Sequence, residues 1–348
     1  MKKYIIILFT LLLTSCSRIK IQDYLYPISI GIDYQNNEFE VYMQLVSYSL
    51  LSKKENEANY DENYEMIILN SKGKTIFDAL TNLQNLTKNF ISTTHIRSFI
   101  IGENLIKNRK DYLEIIRAFF DNNYLRSNIN IYSTSSIKEV YKAGKIIDNT
   151  PYSNEINSPN SFRYLKPMNY LNFLKNIFDN RTAYLPFVIV DKDSTSYVEG
   201  GEIKENYIIE IDGAYYINTN SYKYLDNQKL IGNFYFLNKK YARIEIENKF
   251  YLDIRKLTHS INYDNDKIIF NIILKNCTFY IYNISYDECL SLLKDKIKKD
   301  ILYTYNNCYD DIDIFHLNDY KNRYKLNNEY DLNIIIKHVS LNYSSMIK

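Results

Sequence analysis

The chain has 348 residues, with 43 basic and 41 acidic side chains and a formal net charge of +2. This length exceeds what one hydrophobic core usually holds and predicts about two or three domains. Because charges of both signs are mixed along the chain, the composition argues against a nucleic-acid partner, which would need a concentrated basic face.

The N-terminal segment has the pattern of a secretory signal. Lys2 and Lys3 precede an apolar run over residues 4–13, and Thr14 and Ser15 follow it. A helix of that length rises about 15 Å, roughly half the hydrocarbon core of a bilayer, so the run is too short to span a membrane comfortably. The basic start, short apolar core and small residues predict a signal peptide over residues 1–15.

Cys16 is the candidate site of lipid attachment. The sequence Leu13-Thr14-Ser15-Cys16 resembles the lipobox of bacterial lipoproteins, in which the cysteine receives a diacylglyceryl group and becomes the N-terminus after cleavage. Two acyl chains anchor a protein stably, where one chain is marginal. We therefore expect S-diacylglyceryl and N-acyl groups, such as palmitate, on Cys16, followed by a tether over residues 16–22. The alternative is an ordinary cleaved signal peptide with a chance cysteine.

The remaining cysteines are Cys277, Cys289 and Cys308. An odd number argues against a complete disulfide framework and favours buried free thiols, although a bridge between Cys277 and Cys289 stays open. The four histidines are scattered, and no CxxC or HxxxH spacing occurs. We therefore predict no metal site and no cofactor.

The first half of the chain predicts an α/β region over residues 23–195. Apolar residues with a period of two predict strands, and apolar residues at helical intervals predict amphipathic helices. Thr75 with Asp78, and Ser136 with Glu139, have the spacing of a capping box at a helix start. A separate middle domain from about residue 150 is an open alternative. The predicted strands cover residues 24–33, 38–49, 64–69, 98–101, 129–131 and 184–191, and the predicted helices cover residues 75–90, 111–120, 136–145 and 168–179.

The second half predicts a C-terminal α+β domain over residues 196–348. Residues 202–218 form two strand-like runs, and Asp212-Gly213 between them is typical of a hairpin turn. Strands are predicted at residues 242–252, 257–263, 267–283 and 332–339, with one long helix after the Ser285–Glu288 capping box. The expected architecture is an antiparallel sheet packed by that helix, so the whole fold is mixed α/β and α+β with several domains.

No motif for catalysis stands out. The sequence contains no nucleophile elbow, P-loop, HExxH or dinucleotide fingerprint. His95 follows a helix and precedes a buried-type strand, so we expect a structural histidine, with a catalytic role as the alternative. Asp310, Asp311 and Asp313 predict a solvated loop in preference to a cation site. Gly200-Gly201 predicts a turn or bulge in preference to a ligand loop.

Together these features resemble the Ger(x)C family, the lipoprotein C subunits of nutrient germinant receptors in endospore-forming bacteria. The resemblance covers nearly the whole chain. His95 with the Phe99–Glu103 segment is its most specific part. Its other parts are the lipobox at Cys16, Gly31-Ile32-Asp33 after the first strand, Gly73-Lys74-Thr75-Ile76 at a helix start, Arg117 on the next helix, and the sheet, helix and acidic segment from residue 242 onward.

The resemblance implies a non-enzymatic subunit of a membrane complex needed for spore germination. The implied partners are two integral membrane proteins, the A and B subunits, with the chain anchored by lipid on the extracytoplasmic face of the spore inner membrane. No catalytic residue and no small-molecule ligand on this subunit are implied. His95, Gly102 and Glu103 are carried over as structural residues.

Two other classes of function are weighed against this one. A substrate-binding lipoprotein of a transporter is the main alternative, and it predicts two doubly wound lobes with longer parallel runs than this sequence contains. A surface enzyme would need a constellation of acid, base and nucleophile, which the sequence does not supply.

Overall fold

The structure is a computed structural model that describes residues 24–46, 66–87, 89–121, 124–143, 164–165, 168–199, 202–219, 221–246, 249–264, 267–282, 284–308, 313–315 and 330–343. Cys16, Gly200-Gly201 and Asp310-Asp311 lie outside these residues, as do the signal peptide and the tether.

Thirteen strands and six α-helices are assigned within the described residues. The strands are β1 Tyr24–Gln35, β2 Glu38–Val46, β3 Met66–Gly73, β4 Phe90–Ile91, β5 Ser98–Gly102, β6 Asn130–Thr134, β7 Ala183–Glu199, β8 Glu202–Ile217, β9 Tyr222–Asp226, β10 Ala242–Ile246, β11 Phe250–Asp264, β12 Lys267–Ile281 and β13 Tyr330–Tyr343. The α-helices are α1 Ile76–Asn85, α2 Glu103–Asn108, α3 Tyr112–Asp121, α4 Ile137–Ala143, α5 Tyr170–Phe178 and α6 Tyr286–Cys308, and two 3₁₀ helices are η1 Thr93–His95 and η2 Ile231–Phe236.

The first sheet has the order β3-β2-β1-β5-β6-β7-β8-β9, with β4 paired to the start of β1. Its centre is parallel, because β1 pairs with β5, β5 with β6 and β6 with β7 in that sense. Antiparallel hairpins close both sides, from β3 to β1 and from β7 to β9. The sheet is therefore mixed, as the alternation of strands and helices predicted.

Strand β1 is buried on both faces and uses side chains of different size on each. Ile30 and Ile32 pack into the core beneath α1, α2, α3 and α5. On the opposite face, a Cβ atom on Gly31 would come within 2.7 Å of the Ile137 side chain on α4. Ser29 on that face lies 2.9 Å from the hydroxyl of Tyr141. Small residues on one face thus let α4 pack directly on the strand.

The second sheet has the order β10-β11-β12-β13. Strands β10 to β12 are antiparallel as predicted, but β13 runs parallel to β12, so the sheet is mixed where the sequence predicted an antiparallel sheet. The reason is the connection. Helix α6 follows β12 and is about 34 Å long, which is enough to carry the chain back along the sheet before β13 begins.

One hydrophobic core joins the two sheets. It holds Ile100 and Tyr132 from the first sheet, Leu252 and Phe279 from the second sheet, and Leu293 from α6, all with no accessible surface. The first sheet continues to Asp226, so the predicted boundary at residues 195 and 196 falls inside β7. The division of the chain into domains stays a prediction.

The predicted hairpin turn at Asp212-Gly213 is wrong, because residues 202–217 form one continuous strand. The register of β7 against β8 shifts between Phe187 and Val188, so Asp212 is an extra residue in a β-bulge. Gly213 is needed there because its φ is +156° and a Cβ would lie 2.2 Å from the carbonyl oxygen of Leu225. The turn signal in the sequence thus marks a bulge.

Helix α6 is fixed to η2 by two buried hydrogen bonds. The backbone N–H of Gly232 donates to Thr304 Oγ1 over 2.8 Å, and the hydroxyl of Tyr235 donates to Asp300 Oδ2 over 2.9 Å. Lys296 Nζ lies 3.1 Å from the same carboxylate oxygen. Asp300 is 7% exposed, so its charge depends on these two partners.

We expect Tyr235→Phe to lower the free energy of unfolding by about 1–3 kcal/mol, because a buried carboxylate loses one of its two donors. Urea unfolding followed by circular dichroism measures the change. Tyr241→Phe is the control, since Tyr241 is 79% exposed and should be neutral. Equal stabilities of the two variants would contradict this account of how α6 is held.

Candidate functional site

Two of the motifs that carried the resemblance, Gly31–Asp33 and Gly102-Glu103, meet at the carboxyl ends of β1 and β5. The parallel pairing of β1 with β5 ends at Ile32, one residue before Asp33, and β5 itself ends at Gly102. Helix α2 begins at the next residue, Glu103. Because parallel strands end at the same edge of a sheet, residues that are far apart in sequence are brought side by side.

Asp33 is a buried carboxylate, with 3% of its surface exposed. Its Oδ1 accepts hydrogen bonds from the backbone N–H of Leu105 over 3.0 Å and of Tyr34 over 2.8 Å. Its Oδ2 accepts from the side-chain amides of Asn104 over 3.0 Å and Gln35 over 3.1 Å. Four donors compensate the cost of burying the charge, and two of them belong to the first turn of α2.

Gly102 is the residue that lets Asp33 approach α2. A Cβ atom at position 102 would lie 2.1 Å from Cγ and 2.2 Å from Oδ1 of Asp33. No real side chain tolerates such distances, so glycine is required by close packing and not by an unusual backbone angle. The Gly31–Asp33 motif and the Gly102-Glu103 motif are therefore the two halves of one contact.

Glu103 connects the start of α2 to strand β8. Its Oε1 accepts a hydrogen bond from the hydroxyl of Tyr215 on β8 and lies 2.7 Å from Lys107 Nζ. Burial by itself would raise the pKa of Glu103, but the hydrogen bonds from Lys107 and Tyr215 outweigh it and lower the pKa. Burial and the Glu103 carboxylate together raise the pKa of Tyr215 well above its usual range. Tyr215 was not identified from the sequence, because the contact spans 112 positions.

Arg109 and Asp111 follow α2 and form a second polar cluster near the β1–β2 turn. Arg109 Nε and Nη2 donate to the two carboxylate oxygens of Asp111 over 2.8 Å and 2.6 Å. The guanidinium lies 5.0 Å from the ring centre of Tyr34 and 5.1 Å from that of Phe39. The hydrogen bonds from Arg109 hold the pKa of Asp111 below its usual value. An open depression of about 550 Å³ lies between this cluster and the turn at Asn36.

His95 lies away from these carboxylates. It ends the 3₁₀ helix η1, its side chain is exposed, and its ring meets that of Tyr26 edge-on at 5.0 Å. We expected a structural histidine, and the described contact is a packing contact with an aromatic ring. Arg117 is likewise exposed on α3, where it pairs with Asp121 over 3.1 Å.

Within the described residues, these contacts join the strands to α2, and the carboxylates of the site are all hydrogen-bonded or ion-paired within the chain. Asp33, Glu103 and Asp111 all accept charge-stabilising hydrogen bonds from the chain itself. No group of three or more His, Cys, Asp or Glu side chains placed to hold a metal ion occurs in the part of the chain that the structure describes. In that same part, no helix combines the length and apolar character needed to cross a bilayer.

We expect Gly102→Ala to lower the free energy of unfolding by about 1–3 kcal/mol, because its Cβ would force Asp33 away from α2. In an Asp33→Ala background the same change should cost clearly less, since the carboxylate that it meets is gone. Urea unfolding of the two single variants and the double variant measures this coupling. Strictly additive free energies would contradict the contact.

The lowered pKa of Glu103 predicts a dependence of stability on pH. A carboxylate with a lowered folded-state pKa contributes stability above its unfolded-state pKa, and this contribution is lost as pH falls through the folded-state value. Glu103→Gln should therefore be less stable than the unaltered chain at neutral pH by less than about 1 kcal/mol, because Lys107 is half-exposed.

The difference should shrink as the pH is lowered from about 7 to about 4. Urea unfolding at a series of pH values measures it. Lys107→Met removes one of the two donors and should show an intermediate pH dependence. A difference between Glu103→Gln and the unaltered chain that grows in acid would refute the sign of the shift.

Comparison with known proteins places the chain in a family. Residues 17–190 match the family described as "Spore germination protein N-terminal domain". A crystal structure of the GerBC protein superposes on 90% of this chain and 96% of its own, with 14% sequence identity and a TM-score of 0.47. No curated protein sequence matches significantly. Because the family match spans half of the 348 residues and includes the β1, α2 and β5 motifs, the chain belongs to the Ger(x)C family of spore germination proteins.

Proposed function

We propose that the protein is the lipoprotein C subunit of a nutrient germinant receptor and acts through assembly, with no chemical step of its own. The observation that carries the proposal is the family match over residues 17–190, which begins directly after the lipobox cysteine. The carboxylates of Asp33 and Glu103 accept hydrogen bonds from the chain itself, which supports a structural role for these residues of the family resemblance.

Cys16 is the proposed point of attachment to the membrane. The signal peptide of residues 1–15 would be removed, and the thiol and the new N-terminus of Cys16 would carry acyl chains, palmitate among them. The chain would then sit on the extracytoplasmic face of the spore inner membrane, joined to it by residues 16–22. The folded part would comprise an N-terminal α/β region and a C-terminal α+β domain, with the boundary moved from residues 195 and 196 to a point after β9, because the first sheet continues to Asp226.

The proposed partners are the integral membrane A and B subunits of the receptor. In this arrangement the nutrient binds to those subunits, and this chain contributes a rigid surface against which they assemble. A rigid scaffold suits that role, since an interface of stable geometry loses little entropy when it forms. No cofactor and no small-molecule ligand are assigned to this subunit.

Spores that lack this gene, in a strain without other germinant receptors, should fail to lose optical density when nutrients are added. The reason is that the receptor cannot assemble without its C subunit. Germination with calcium dipicolinate, which does not pass through the receptor, should remain. Normal nutrient germination of these spores would contradict the proposal.

Complementation with Cys16→Ala should fail to restore the nutrient response, because the unanchored chain is lost from the membrane surface. Cys308→Ala is the matched control and should restore it. Metabolic labelling with an alkyne analogue of palmitate should mark the unaltered chain and Cys308→Ala but not Cys16→Ala. Labelling that persists in Cys16→Ala would place the lipid on another residue.

A further inference from the structure

An aromatic surface surrounds the N-terminal end of β1. We name Tyr24, Tyr26, Phe90 and His95 the entry patch. The ring centres of Tyr24 and Tyr26 are 6.1 Å apart, those of Tyr24 and Phe90 are 6.0 Å apart, and those of Tyr26 and His95 are 5.0 Å apart. The four side chains thus form one continuous row of rings.

The patch is held in place by backbone pairing. Tyr24 and Leu25 of β1 pair in parallel with Phe90 and Ile91 of β4. The preceding loop is fixed by Gln84, whose side chain donates to the carbonyl of Asn89 over 2.8 Å and accepts from the N–H of Ile91 over 3.2 Å. The rings are therefore presented by an ordered backbone.

The patch has the chemical character of a membrane-interface surface. Phe90 is 55% exposed, and Leu86, four residues earlier at the end of α1, is 62% exposed. Exposed apolar residues are ordinary when they are scattered, but Phe90 lies against Tyr24, which in turn contacts Tyr26. Tyrosine combines an apolar ring with a polar hydroxyl, and such residues are enriched at the level of lipid headgroups.

Few residues separate the entry patch from the proposed lipid anchor. Tyr24 is eight residues after Cys16, and a chain of that length spans at most about 28 Å when fully extended. Arg18 and Lys20 lie within that segment, and basic residues beside a membrane are attracted to anionic lipids. A lipidated Cys16 would therefore hold the entry patch at high effective concentration beside the bilayer.

We propose that the entry patch rests on the headgroup region of the bilayer that holds the acyl chains of Cys16. This inference rests on the proposed lipid anchor and adds a second contact, which fixes the orientation of β1 relative to the membrane. A lipid anchor alone would leave the domain free to tumble, whereas an anchor and an aromatic contact together define one face as membrane-proximal.

The chain contains no tryptophan, so a single introduced indole reports its own surroundings. The lipidated full chain carrying Phe90→Trp is reconstituted into vesicles of phosphatidylcholine and phosphatidylglycerol. Tyr303→Trp is the matched control, because Tyr303 is 47% exposed on α6, which packs on the second sheet. Tyr24→Trp is a second reporter within the patch, and far-UV circular dichroism checks that each variant is folded.

We expect the emission of Phe90→Trp to shift to shorter wavelength and to lose at least about half of its intensity when the phosphatidylcholine is brominated, since the indole would lie among lipid groups. The Tyr303→Trp control should change little. Vesicle flotation tests the lipid anchor separately from the patch. A chain that carries no lipid does not float, and that result would count against the anchor at Cys16 and not against the patch.

Two results with floated protein would overturn the inference. Equal quenching by brominated lipid in the patch variants and in Tyr303→Trp would show that the patch does not touch the bilayer. Protection of the patch indoles from aqueous acrylamide without quenching by brominated lipid would show that protein covers it, either a second copy or another segment of this chain.

Discussion

The buried carboxylate of Asp33 is the constraint on which the centre of the first sheet depends. A charge with 3% exposure costs several kcal/mol unless donors surround it, and the donors here come from the last two residues of β1 and from the first turn of α2. Gly102 must then lack a Cβ atom so that the helix can approach. One interaction thus determines the end of β1, the end of β5 and the start of α2, and it accounts for both sequence motifs together.

The opposite face of β1 connects the Asp33 contact to the second sheet. Ser29 accepts a hydrogen bond from Ser98 over 2.8 Å and contacts Tyr141 on α4. Tyr141 belongs to the core that also contains Leu252 and Leu293, so packing is continuous from β1 through α4 to the second sheet and α6. Because close-packed interiors transmit displacement, the two sheets are mechanically coupled, and the small side chains of β1 are one part of that connection.

The sequence was informative where the determining interaction is local. The Thr75–Asp78 capping box was predicted from a spacing of three residues, and both of its hydrogen bonds are present, each over 3.1 Å. The dipeptide Asp212-Gly213 suits both a hairpin turn and a β-bulge, and only the pairing of β8 with β7 and β9 decides between the two. The pairing of Glu103 with Tyr215 and the parallel direction of β13 also depend on distant segments, so local patterns could not supply them.

The place of β1 in the sheet bears on how an anchored protein would carry load. Under the proposed anchoring, any force between membrane and domain enters at Tyr24 and acts along β1. This strand lies between β2 and β5 and is hydrogen-bonded on both edges, so a pull along its axis must shear two rows of backbone bonds together. An edge strand could instead be peeled off one bond at a time. The Asp33 contact lies at the far end of the same strand and opposes its sliding. Under the proposed anchoring, the tether would therefore enter at a strand that is paired on both edges.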